Sequence, residues 1–400
     1  MRIVHLTQST VAEITGGLEY HIAYLTDALR RRGHEVIVLN TASGRSRSWQ
    51  GPRAEARRDS YVPVRGRAAW REMLVMFWER MRKGRSVAAV MNEIDRLRPD
   101  IVHQHSYIGG LRICRLVERK YPVVFTNHTG AYIYMERMAI TRWIQRQFMK
   151  RFTMVIGPSR ELLPATENSR YIPNGVDVGK FHPVPDERRI ALKRKHGCAD
   201  KRVFVCPRRW APTKGILELA HALRRLKSSV RDSCVFLFVG NETPGYEAYQ
   251  ENVRRVLGTV AADVRVLGNR NHEELSEMMS MAHACIIPSI MEATSLACLE
   301  SMACGTPVIG TAAEGLLELI HHQENGWLVP VRDEKALAEC IETVAETPHP
   351  LLLRMREAAR KSVRERYTWS RAAGSTEDVY QTALRKWADC GVVGMAAAVA

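Results

Sequence analysis

Short apolar runs alternate with amphipathic stretches along most of the chain. The runs have the length and composition of buried parallel strands, and the stretches between them repeat apolar residues every three or four positions, as helices do. Strands are predicted at residues 2–7, 35–39, 101–105, 123–126, 154–159, 203–206, 235–240, 264–268, 284–287 and 326–330. This alternation predicts an α/β protein with doubly wound parallel sheets. Because 400 residues are too many for one compact core, we expect about two domains.

Residues 283–309 contain the most informative pattern, a strand, a loop, a helix and a second strand. The apolar run 284–287 ends at a proline and a serine, and Thr294 or Ser295 can cap the helix that follows. Gly305 is suited to end that helix, because glycine readily adopts the left-handed conformation. The loop before the helix therefore lies at the carboxyl end of a strand, where open α/β sheets bind ligands.

Two glutamates flank the predicted amino terminus of this helix. Glu292 lies in the loop and Glu300 about two turns into the helix, with the backbone N–H groups of residues 295–297 between them. Such N–H groups attract anions, and carboxylates accept hydrogen bonds from hydroxyls. A sugar nucleotide presents hydroxyls, a diphosphate and further hydroxyls in that order. The alternative interpretation is a capped helix with two solvated glutamates.

A basic loop follows the strand 203–206. It contains Arg208, Arg209 and Lys214, and a helix begins at Gly215 or directly after it. Two cations that converge on a diphosphate stabilise it strongly in a partly dry site. The alternative is a solvated basic loop without a ligand.

The first strand leads through a polar loop to Gly16 and Gly17, which precede the helix 18–29. There is no G-x-G-x-x-G sequence, and the second strand ends at Asn40 rather than at an acidic residue, so the loop does not match a dinucleotide site. Two adjacent glycines still let the backbone approach a ligand closely, although such pairs are more often only tight turns.

Histidines mark the ends of two further strands. His128 follows the strand 123–126, and His103 and His105 lie at the end of the strand 101–105. A histidine in this position is usually polar lining, but it can also contact a ligand at the carboxyl edge of the sheet.

The sequence around Glu292 and Glu300 resembles the E-x7-E signature of the family-four glycosyltransferases, and the resemblance extends over residues 16–369. One departure concerns residues 293–295, Ala-Thr-Ser, where the family usually has Gly-Phe-Gly. The backbone role of this loop can survive that change, but no donor-sugar preference can be transferred from the family.

Two further motifs support the resemblance. The string Gly-Gly-Leu-Glu at 16–19, followed by Gly-His-Glu-Val at 33–36, is similar to the N-terminal signature of the family. Arg209 and Lys214 have the spacing of its Arg…Lys-Gly motif, with Arg208 as the alternative arginine.

The resemblance implies a role for each of these residues. Glu292 and His128 would orient the transferred sugar, and Glu300 would hold the ribose. Lys214 and Arg209 would neutralise the departing diphosphate. Further contacts to the donor phosphates and the base would come from Gly16, Gly17, Thr294, Ser295, Leu296, Asn269 and Arg270.

The same resemblance implies the GT-B fold, in which two Rossmann-like domains face a cleft. It places an acceptor-side domain at 1–172, a nucleotide-sugar domain at 173–369 and a last helix, 370–390, that packs back on the first domain. It implies transfer with retention, in which a donor phosphate oxygen takes the acceptor's proton. The chain contains no D-x-D sequence, and the resemblance implies no essential metal, so we assign no metal ligands.

The net charge of +16 points to an anionic partner or to simple solubility. Half of the excess lies in residues 45–98, which hold 14 basic and 6 acidic side chains. Within them, residues 70–81 (Trp70 to Met81) have apolar residues at helical spacing, which predicts an amphipathic helix. This helix can pack on the core, lie on an anionic membrane or hold a bulky acceptor. The resemblance favours a sugar nucleotide as donor, a small molecule, natural product or glycolipid as acceptor, and no nucleic acid.

Cysteine usage and hydropathy bear on location. The nine cysteines form no C-x-x-C pair, and several lie in apolar strand-like runs, which favours a reducing compartment. We find no signal peptide and no apolar run of about 20 residues. We therefore expect a cytoplasmic enzyme, peripheral at the inner face of the membrane if the helix 70–81 docks there.

Two other classes of function remain open on the sequence alone. A sugar-nucleotide epimerase or phosphorylase of related fold would use similar motifs, and product analysis distinguishes it. A basic protein that binds nucleic acid or lipid without chemistry would show steeply salt-dependent binding and no nucleotide release.

Overall fold

The computed structural model describes residues 1–7, 17–40, 45–47, 87–105, 117–128, 132, 136, 139–242 and 245–397. These residues form two compact units. The first contains the described residues up to Asn174 and a helix that begins at Trp369, and the second contains Gly175–Thr368. Each unit has its own sheet, as the alternation of strands and helices predicts.

The first unit is built around a seven-stranded sheet. Its strands are β1 Arg2–Thr7, β2 Glu35–Asn40, β3 Arg45–Arg47, β4 Ile101–Gln104, β5 Val123–Thr126, β6 Met154–Gly157 and β7 Ser169–Tyr171. Its first helices are α1 Gly17–Arg31, α2 Val87–Leu97 and α3 Ala139–Met149. The strand order is β3-β2-β1-β4-β5-β6-β7, and all neighbouring pairs are parallel except β2 and β3.

The second unit is built around a six-stranded parallel sheet. Its strands are β8 Arg202–Cys206, β9 Cys234–Val239, β10 Asp263–Gly268, β11 Ala284–Ile287, β12 Val308–Thr311 and β13 Gly326–Val329. Its helices are α4 Asp186–Lys195, α5 Ile216–Leu223, α6 Ser228–Ser233, α7 Glu247–Leu257, α8 His272–Met281, α9 Leu296–Ala303, α10 Glu314–Leu317, α11 Glu334–Ala345 and α12 His349–Arg366. The strand order is β10-β9-β8-β11-β12-β13.

Strand alternation buries both faces of the second sheet. Val203 and Val205 of β8 belong to one apolar cluster, whereas Phe204 and Cys206 belong to another. Helices α8 and α9 contribute to the first cluster, and α5 and α11 contribute to the second. Such two-sided burial explains why the strands appear in the sequence as continuous apolar runs rather than as alternating ones.

The last helix, α13 Trp369–Ala397, belongs to the first unit and packs against α1. Arg32 forms an ion pair with Glu377 at 2.6 Å, and the side chain of Tyr380 is fully buried. The helix extends beyond its predicted end near residue 390, because no proline interrupts the alanine-rich segment that follows.

The predicted fold class is confirmed by these two doubly wound sheets. Strands β1, β5 and β11 have the bounds that the apolar runs predict. The predicted helix at 70–81 lies outside the described residues. No helix in the described part of the chain combines the length and the hydropathy that crossing a bilayer requires. The seven cysteines from Cys198 to Cys340 are free thiols.

Candidate active site

In the second unit, the predicted site lies where the strand order changes direction. The chain runs from β8 outward to β9 and β10, and then returns to β11 on the other side of β8. Arg208 lies two residues after β8, and Ser289 lies two residues after β11. Ligands of open α/β sheets bind outside the carboxyl ends of the two strands at such a point.

Three side chains converge there on the carboxylate of Glu292. Arg208 Nη2 donates to Glu292 Oε2 and, at 2.9 Å, to Ser289 Oγ. The Ser289 hydroxyl and Lys214 Nζ donate to the same carboxylate oxygen at 3.0 Å and 3.1 Å. All the hydrogen bonds that described residues make to this carboxylate end on Oε2, so Oε1 can accept from a ligand.

This cluster carries more positive than negative charge. Arg208 and Lys214 share one carboxylate, and the exposed fractions of their side chains are only 8% and 19%. The Nε–H of Arg208 is buried and has no hydrogen-bond partner among the described residues. A surplus charge and an unsatisfied donor both favour an anionic ligand.

The charges determine how these groups titrate. Burial alone would raise the pKa of Glu292, but the charges of Arg208 and Lys214, with hydrogen bonds from Lys214 and Ser289, lower this pKa to about 2. Burial and the Arg208 charge lower the pKa of Lys214 to about 8, against the opposing effect of Glu292. At neutral pH the carboxylate is therefore ionised and the lysine is mostly protonated.

Two glycines let the loops of this site approach one another. Gly215 has φ of 67°, and a Cβ there would lie 1.7 Å from the carbonyl oxygen of Pro288. A Cβ on Gly315 would lie 1.9 Å from the carbonyl oxygen of Ala293. The N–H of Gly315 also donates to the Glu292 carbonyl at 3.0 Å. A side chain at either glycine would therefore collide with the loop that carries Glu292 and displace it.

Helix α9 begins and ends as the sequence predicts. Ser295 is its N-cap, and the Ser295 hydroxyl accepts from the Cys298 N–H at 3.3 Å. Gly305 follows the helix with φ of 67°, and its N–H donates to the Met302 carbonyl at 3.0 Å. Leu296 is the first helical residue, and N–H groups of a first turn have no acceptor within their own helix.

Glu300 differs from Glu292 in its environment. It is half-buried on α9, and burial raises its pKa to about 7, although the Arg208 charge acts in the opposite direction. At neutral pH the carboxyl of Glu300 is therefore close to half protonated, while that of Glu292 is ionised.

The other predicted residues of the second unit contact the cluster less closely. Arg209 is exposed, and its charge contributes to the lowered pKa of the buried lysine. Thr294 is half-buried directly before the N-cap. Asn269 and Arg270 follow β10 at the edge of the sheet, and Arg270 Nη1 donates to the Asn269 carbonyl at 3.1 Å. The roles of these four residues stay predictions, and the arginine that contacts the carboxylate is Arg208.

The first unit has the same change of direction, between β1 and β4. Five of its described histidines gather at this edge, with neighbouring ring centroids between 4.1 and 5.7 Å apart. They are His5 on β1, His21 on α1, His103 on β4, His105 directly after β4 and His128 after β5. The sequence thus places His103, His105 and His128 at the ends of β4 and β5, but it does not predict the size of this cluster, and a ligand at this edge stays a prediction.

Hydroxyl groups hold two of these imidazoles. His103 Nδ1 contacts the Tyr380 hydroxyl at 2.6 Å, and its Nε2 contacts Thr126 Oγ1 at 2.7 Å. His5 Nδ1 contacts Thr26 Oγ1 at 3.1 Å, and its Nε2 contacts the Tyr380 hydroxyl at 3.3 Å. Both rings therefore have partners at each nitrogen.

Burial is the main reason that the pKa of each histidine in this cluster is lowered. The pKa falls to about 3 for His5 and to about 4 for His21, where the hydrogen bond that His21 donates to Asn174 opposes the change. The pKa values of His103, His105 and His128 are also well below the ordinary 6.5. The cluster is therefore neutral at physiological pH.

One predicted residue, His128, belongs to this cluster, and another, Gly17, lies four residues before His21 in the chain. The ring of His128 lies 4.4 Å from that of His21, between centroids. Gly17 begins α1, and a Cβ there would meet no described heavy atom within 4 Å. Packing against the described residues therefore does not explain this glycine. Gly16 lies outside the described residues.

Sequence reasoning did not identify Ser289, His5 or His21. Ser289 appears in the sequence only as the residue that ends a strand, although its position two residues after β11 mirrors that of Arg208 after β8. His21 gives no local signal, because its partner Asn174 lies 153 positions further along the chain.

The fold and the motifs at its strand ends define a glycosyltransferase of the GT-B class. A sequence profile described as Glycosyltransferase Family 4 matches residues 15–180, and one described as Glycosyl transferases group 1 matches residues 188–362. The chain belongs to the family-four, group 1 glycosyltransferases.

Similar proteins cover almost the whole chain. Glycogen synthase from Mycobacterium tuberculosis is 24% identical over 96% of this chain and 95% of its own length. The phosphatidyl-myo-inositol mannosyltransferase of Mycolicibacterium smegmatis is 26% identical over 92% of this chain and 91% of its own length. The structure of sucrose-phosphate synthase from Thermosynechococcus elongatus superimposes with a TM-score of 0.72 at 22% identity, covering 95% of this chain and 98% of that one.

Proposed function

We propose that this glycosyltransferase moves a hexose from a nucleotide-diphosphate sugar to a hydroxyl of a small molecule, natural product or glycolipid, with retention at the anomeric carbon. The observation that carries the proposal is the cluster of Arg208, Lys214 and Glu292. Two largely buried cations share one carboxylate, and an unsatisfied N–H of Arg208 lies beside them.

The surplus positive charge suits a diphosphate leaving group. Negative charge grows on the diphosphate as the sugar–oxygen bond breaks, and preorganised cations stabilise that charge most in a partly dry site. Lys214 and Arg208 provide two such cations, and Arg209 and the amino terminus of α9 at Ser295 add to them. Because these groups perform the neutralisation, we propose that transfer needs no essential metal.

The two glutamates take different parts in this proposal. The diphosphate competes with Glu292 for Lys214 and Arg208, and the carboxylate then accepts from hydroxyls of the sugar. Oxygen Oε1 of Glu292 is already available for such a contact. Glu300 accepts from the ribose hydroxyls in its ionised form. His128 is retained as a predicted contact of the sugar.

We propose that retention does not involve a covalent glycosyl-enzyme. A covalent glycosyl-enzyme would need a carboxylate placed as a nucleophile, and in this proposal Glu292 accepts from the sugar hydroxyls while Glu300 accepts from the ribose. We therefore propose that a donor phosphate oxygen takes the acceptor's proton while the new glycosidic bond forms on the face that the diphosphate leaves.

A peripheral position at a membrane is supported by helix α3. Three apolar side chains on this helix, Ile140, Trp143 and Ile144, are 67%, 62% and 51% exposed. Arg142 and Arg146 lie on the same helix, so an apolar face is combined with positive charge. This combination suits an anionic lipid surface, and a lipid-linked acceptor would be found there.

The test begins with a screen of sugar nucleotides for thermal stabilisation of the protein. The best donor is then incubated with candidate acceptors, and the configuration of the new bond is determined by NMR. We expect an α-linked product from an α-linked donor, unchanged by EDTA, and a loss of about 10²–10³-fold in kcat/KM for Lys214→Ala. The matched control is Lys335→Ala, since Lys335 is 77% exposed on the same unit.

Three results would contradict the proposal. An inverted product would rule out retention. A sugar nucleotide converted without any acceptor product would indicate an epimerase. Full activity in Lys214→Ala would show that the cluster does not contribute to transfer.

A further inference from the structure

We propose that His21, His105 and His128 form a binding site for a borderline transition metal such as Zn²⁺, with an open position for water or another ligand. The three side chains each offer one ring nitrogen, and these atoms lie within 4.8 Å of one another. The site consists of residues of the first unit, and metal binding there is not required for transfer.

The free ring nitrogens distinguish this group from a second set of neighbouring histidines. His5, His103 and His105 also bring ring nitrogens within 4.8 Å of one another. However, both nitrogens of His5 and both of His103 have hydroxyl partners, so neither ring has a lone pair to spare without breaking a hydrogen bond. In this second set, only His105 can therefore offer a lone pair to a metal.

In the proposed set, by contrast, every ring has an available nitrogen. Neither ring nitrogen of His105 has a hydrogen-bond partner among the described residues, although the side chain is fully buried. Within the same described part of the chain, Nε2 of His21 and Nε2 of His128 also have no partner. Buried polar atoms are rarely left unpaired, so three adjacent examples indicate a ligand that accepts their lone pairs.

Asn174 orients His21 for this role. Its side-chain oxygen lies 2.7 Å from His21 Nδ1, so Nδ1 carries the proton and donates, and Nε2 keeps its lone pair. A ring that donates one N–H to a fixed acceptor and presents the other nitrogen to the metal is the usual arrangement of metal-bound histidine. The Trp369 ring packs edge-on against His21 at 5.4 Å between centroids and restricts its rotation.

The donor set selects the metal. Three neutral imidazoles suit Zn²⁺, Co²⁺ or Ni²⁺ and do not suit Mg²⁺ or Ca²⁺, which prefer oxygen. Zinc–nitrogen bonds of about 2.0–2.1 Å need nitrogen atoms about 3.4 Å apart in tetrahedral geometry, so the rings must rotate slightly inward. Three histidines leave the fourth position of a tetrahedral metal open.

Metal binding and sugar transfer would compete for His128. This consequence rests on the proposed function, in which His128 contacts the donor sugar. Zn²⁺ on Nε2 of His128 would then inhibit transfer, and a chelator would restore it. The metal-binding measurement itself needs no transfer, so its failure and the failure of the proposed function are distinguishable.

The experiment uses the full chain, without a polyhistidine tag and dialysed against a chelator. Co²⁺ is titrated while its visible absorption is recorded, and Zn²⁺ is titrated in competition with a chromophoric chelator. We expect one metal per chain, and an affinity at least about tenfold weaker in His105→Gln and in Asn174→Ala. Asn174→Ala removes no ligand, so a weaker affinity there reports the orienting hydrogen bond.

The matched control is His283→Gln in the second unit, where a largely buried histidine contacts the Val344 carbonyl at 2.9 Å. It should bind as the unchanged chain does. Circular dichroism establishes that each variant is folded. The proposal is overturned if the unchanged chain binds no Co²⁺ or Zn²⁺, or if His105→Gln and Asn174→Ala, both folded, bind with unaltered affinity.

Discussion

In the first unit, the edge between β1 and β4 is lined by neutral imidazoles, whereas in the second unit the edge between β8 and β11 carries two cations and a carboxylate. The backbone arrangement is the same in both, because at each of these points the connections that leave two neighbouring parallel strands run in opposite directions. The difference lies in the residues that directly follow the strands. The shared arrangement thus supplies a place for a ligand, and the side chains decide whether that ligand is a polyanion or a group that neutral imidazoles bind.

Burial disfavours the charged form at both edges, but it determines the ionisation state at only one of them. Around Glu292 it is outweighed by the charges of Arg208 and Lys214, so the carboxylate stays ionised. Around His5 and His21 no described carboxylate offsets it, and the imidazoles stay neutral. The edge of the second unit therefore has a net positive charge that attracts a phosphate. The edge of the first unit offers lone pairs and N–H groups without net charge.

The largest expected effect concerns two adjacent arginines. Because Arg208 is buried against Glu292 and Arg209 is exposed, Arg208→Ala should lower kcat/KM by about 10²–10³-fold, and Arg209→Ala by at least about tenfold less. Steady-state kinetics on both variants measures the difference. Arg208→Ala should also lower the free energy of unfolding, by less than the ~3–5 kcal/mol of a fully broken buried pair, since Lys214 remains.

The reverse order of the two arginines would contradict this comparison. If Arg209→Ala had the larger effect, the arginine suggested by motif spacing would be the one that binds the diphosphate. Arg208 would then serve mainly to hold the loop that carries Glu292.

As the pH is lowered, the first unit should lose stability at a higher pH than the second. The unfolded chain binds protons at histidine near pH 6.5, but folded His21 does so only near pH 4, so stability falls as the pH drops below 6.5. For His21 alone, the loss between pH 6.5 and pH 4.5 is about 2–3 kcal/mol.

The Glu292 contribution behaves differently, since its folded pKa of about 2 lies below the unfolded value of 4.5. That contribution is present above pH 4.5 and is lost only as the pH falls further. The protection factors of amides in β1 and β4, which correct for the slower intrinsic exchange at low pH, should therefore fall at a higher pH than those in β8 and β11. A simultaneous fall in all four strands would show that the imidazoles of the first unit are not buried as described.

A smaller effect is expected from Glu300. Its pKa of about 7 means that its carboxyl is mostly protonated at pH 6, and only the ionised form accepts from both ribose hydroxyls. Nucleotide affinity should therefore rise about tenfold between pH 6 and pH 8. Calorimetric titration of a nucleoside diphosphate at several pH values measures this change.

The control for that experiment is Glu300→Gln, which removes the titrating group while keeping the shape of the side chain. It should bind more weakly and with a smaller pH dependence. An equal slope in both proteins would assign the pH dependence to the phosphate itself.

The smallest expected effect is on membrane binding, and it is tested by the same substitution in two helices. Ile144 on α3 and Ile190 on α4 are each 51% exposed, and both helices carry arginines, but only α3 adds further large exposed apolar residues beside its isoleucine. Ile144→Glu should reduce co-sedimentation with vesicles of phosphatidylglycerol about fivefold at low salt, and Ile190→Glu should leave it unchanged. Equal losses would indicate binding by net charge alone.

Much of the fold can be predicted because its signals are local. Ala284–Ile287 is bounded by a proline, and Ser295 and Gly305 have the residue types that begin and end a helix. These features depend on a few neighbouring residues, so the sequence alone is sufficient. The same holds for the order of strands and helices, since most of the apolar runs are buried on both faces.

The site is predicted less completely, because its contacts join distant residues. Sequence spacing cannot decide between Arg208 and Arg209, since the direction of each side chain depends on the turn after β8. The hydrogen bond between His21 and Asn174 joins residues that lie before β2 and after β7 in the chain, so no local sequence pattern indicates it. The orienting role of Asn174 therefore appears only once the chain is folded.

The central claim is that the Arg208–Lys214–Glu292 cluster binds the diphosphate of the donor. It is tested most directly by calorimetric titration of UDP, GDP and ADP, each beside its nucleoside, into the unchanged protein and into Lys214→Ala. We expect one diphosphate to bind at least about 100-fold more tightly than its nucleoside, and Lys214→Ala to lose most of that preference. An undiminished preference in folded Lys214→Ala would contradict the account.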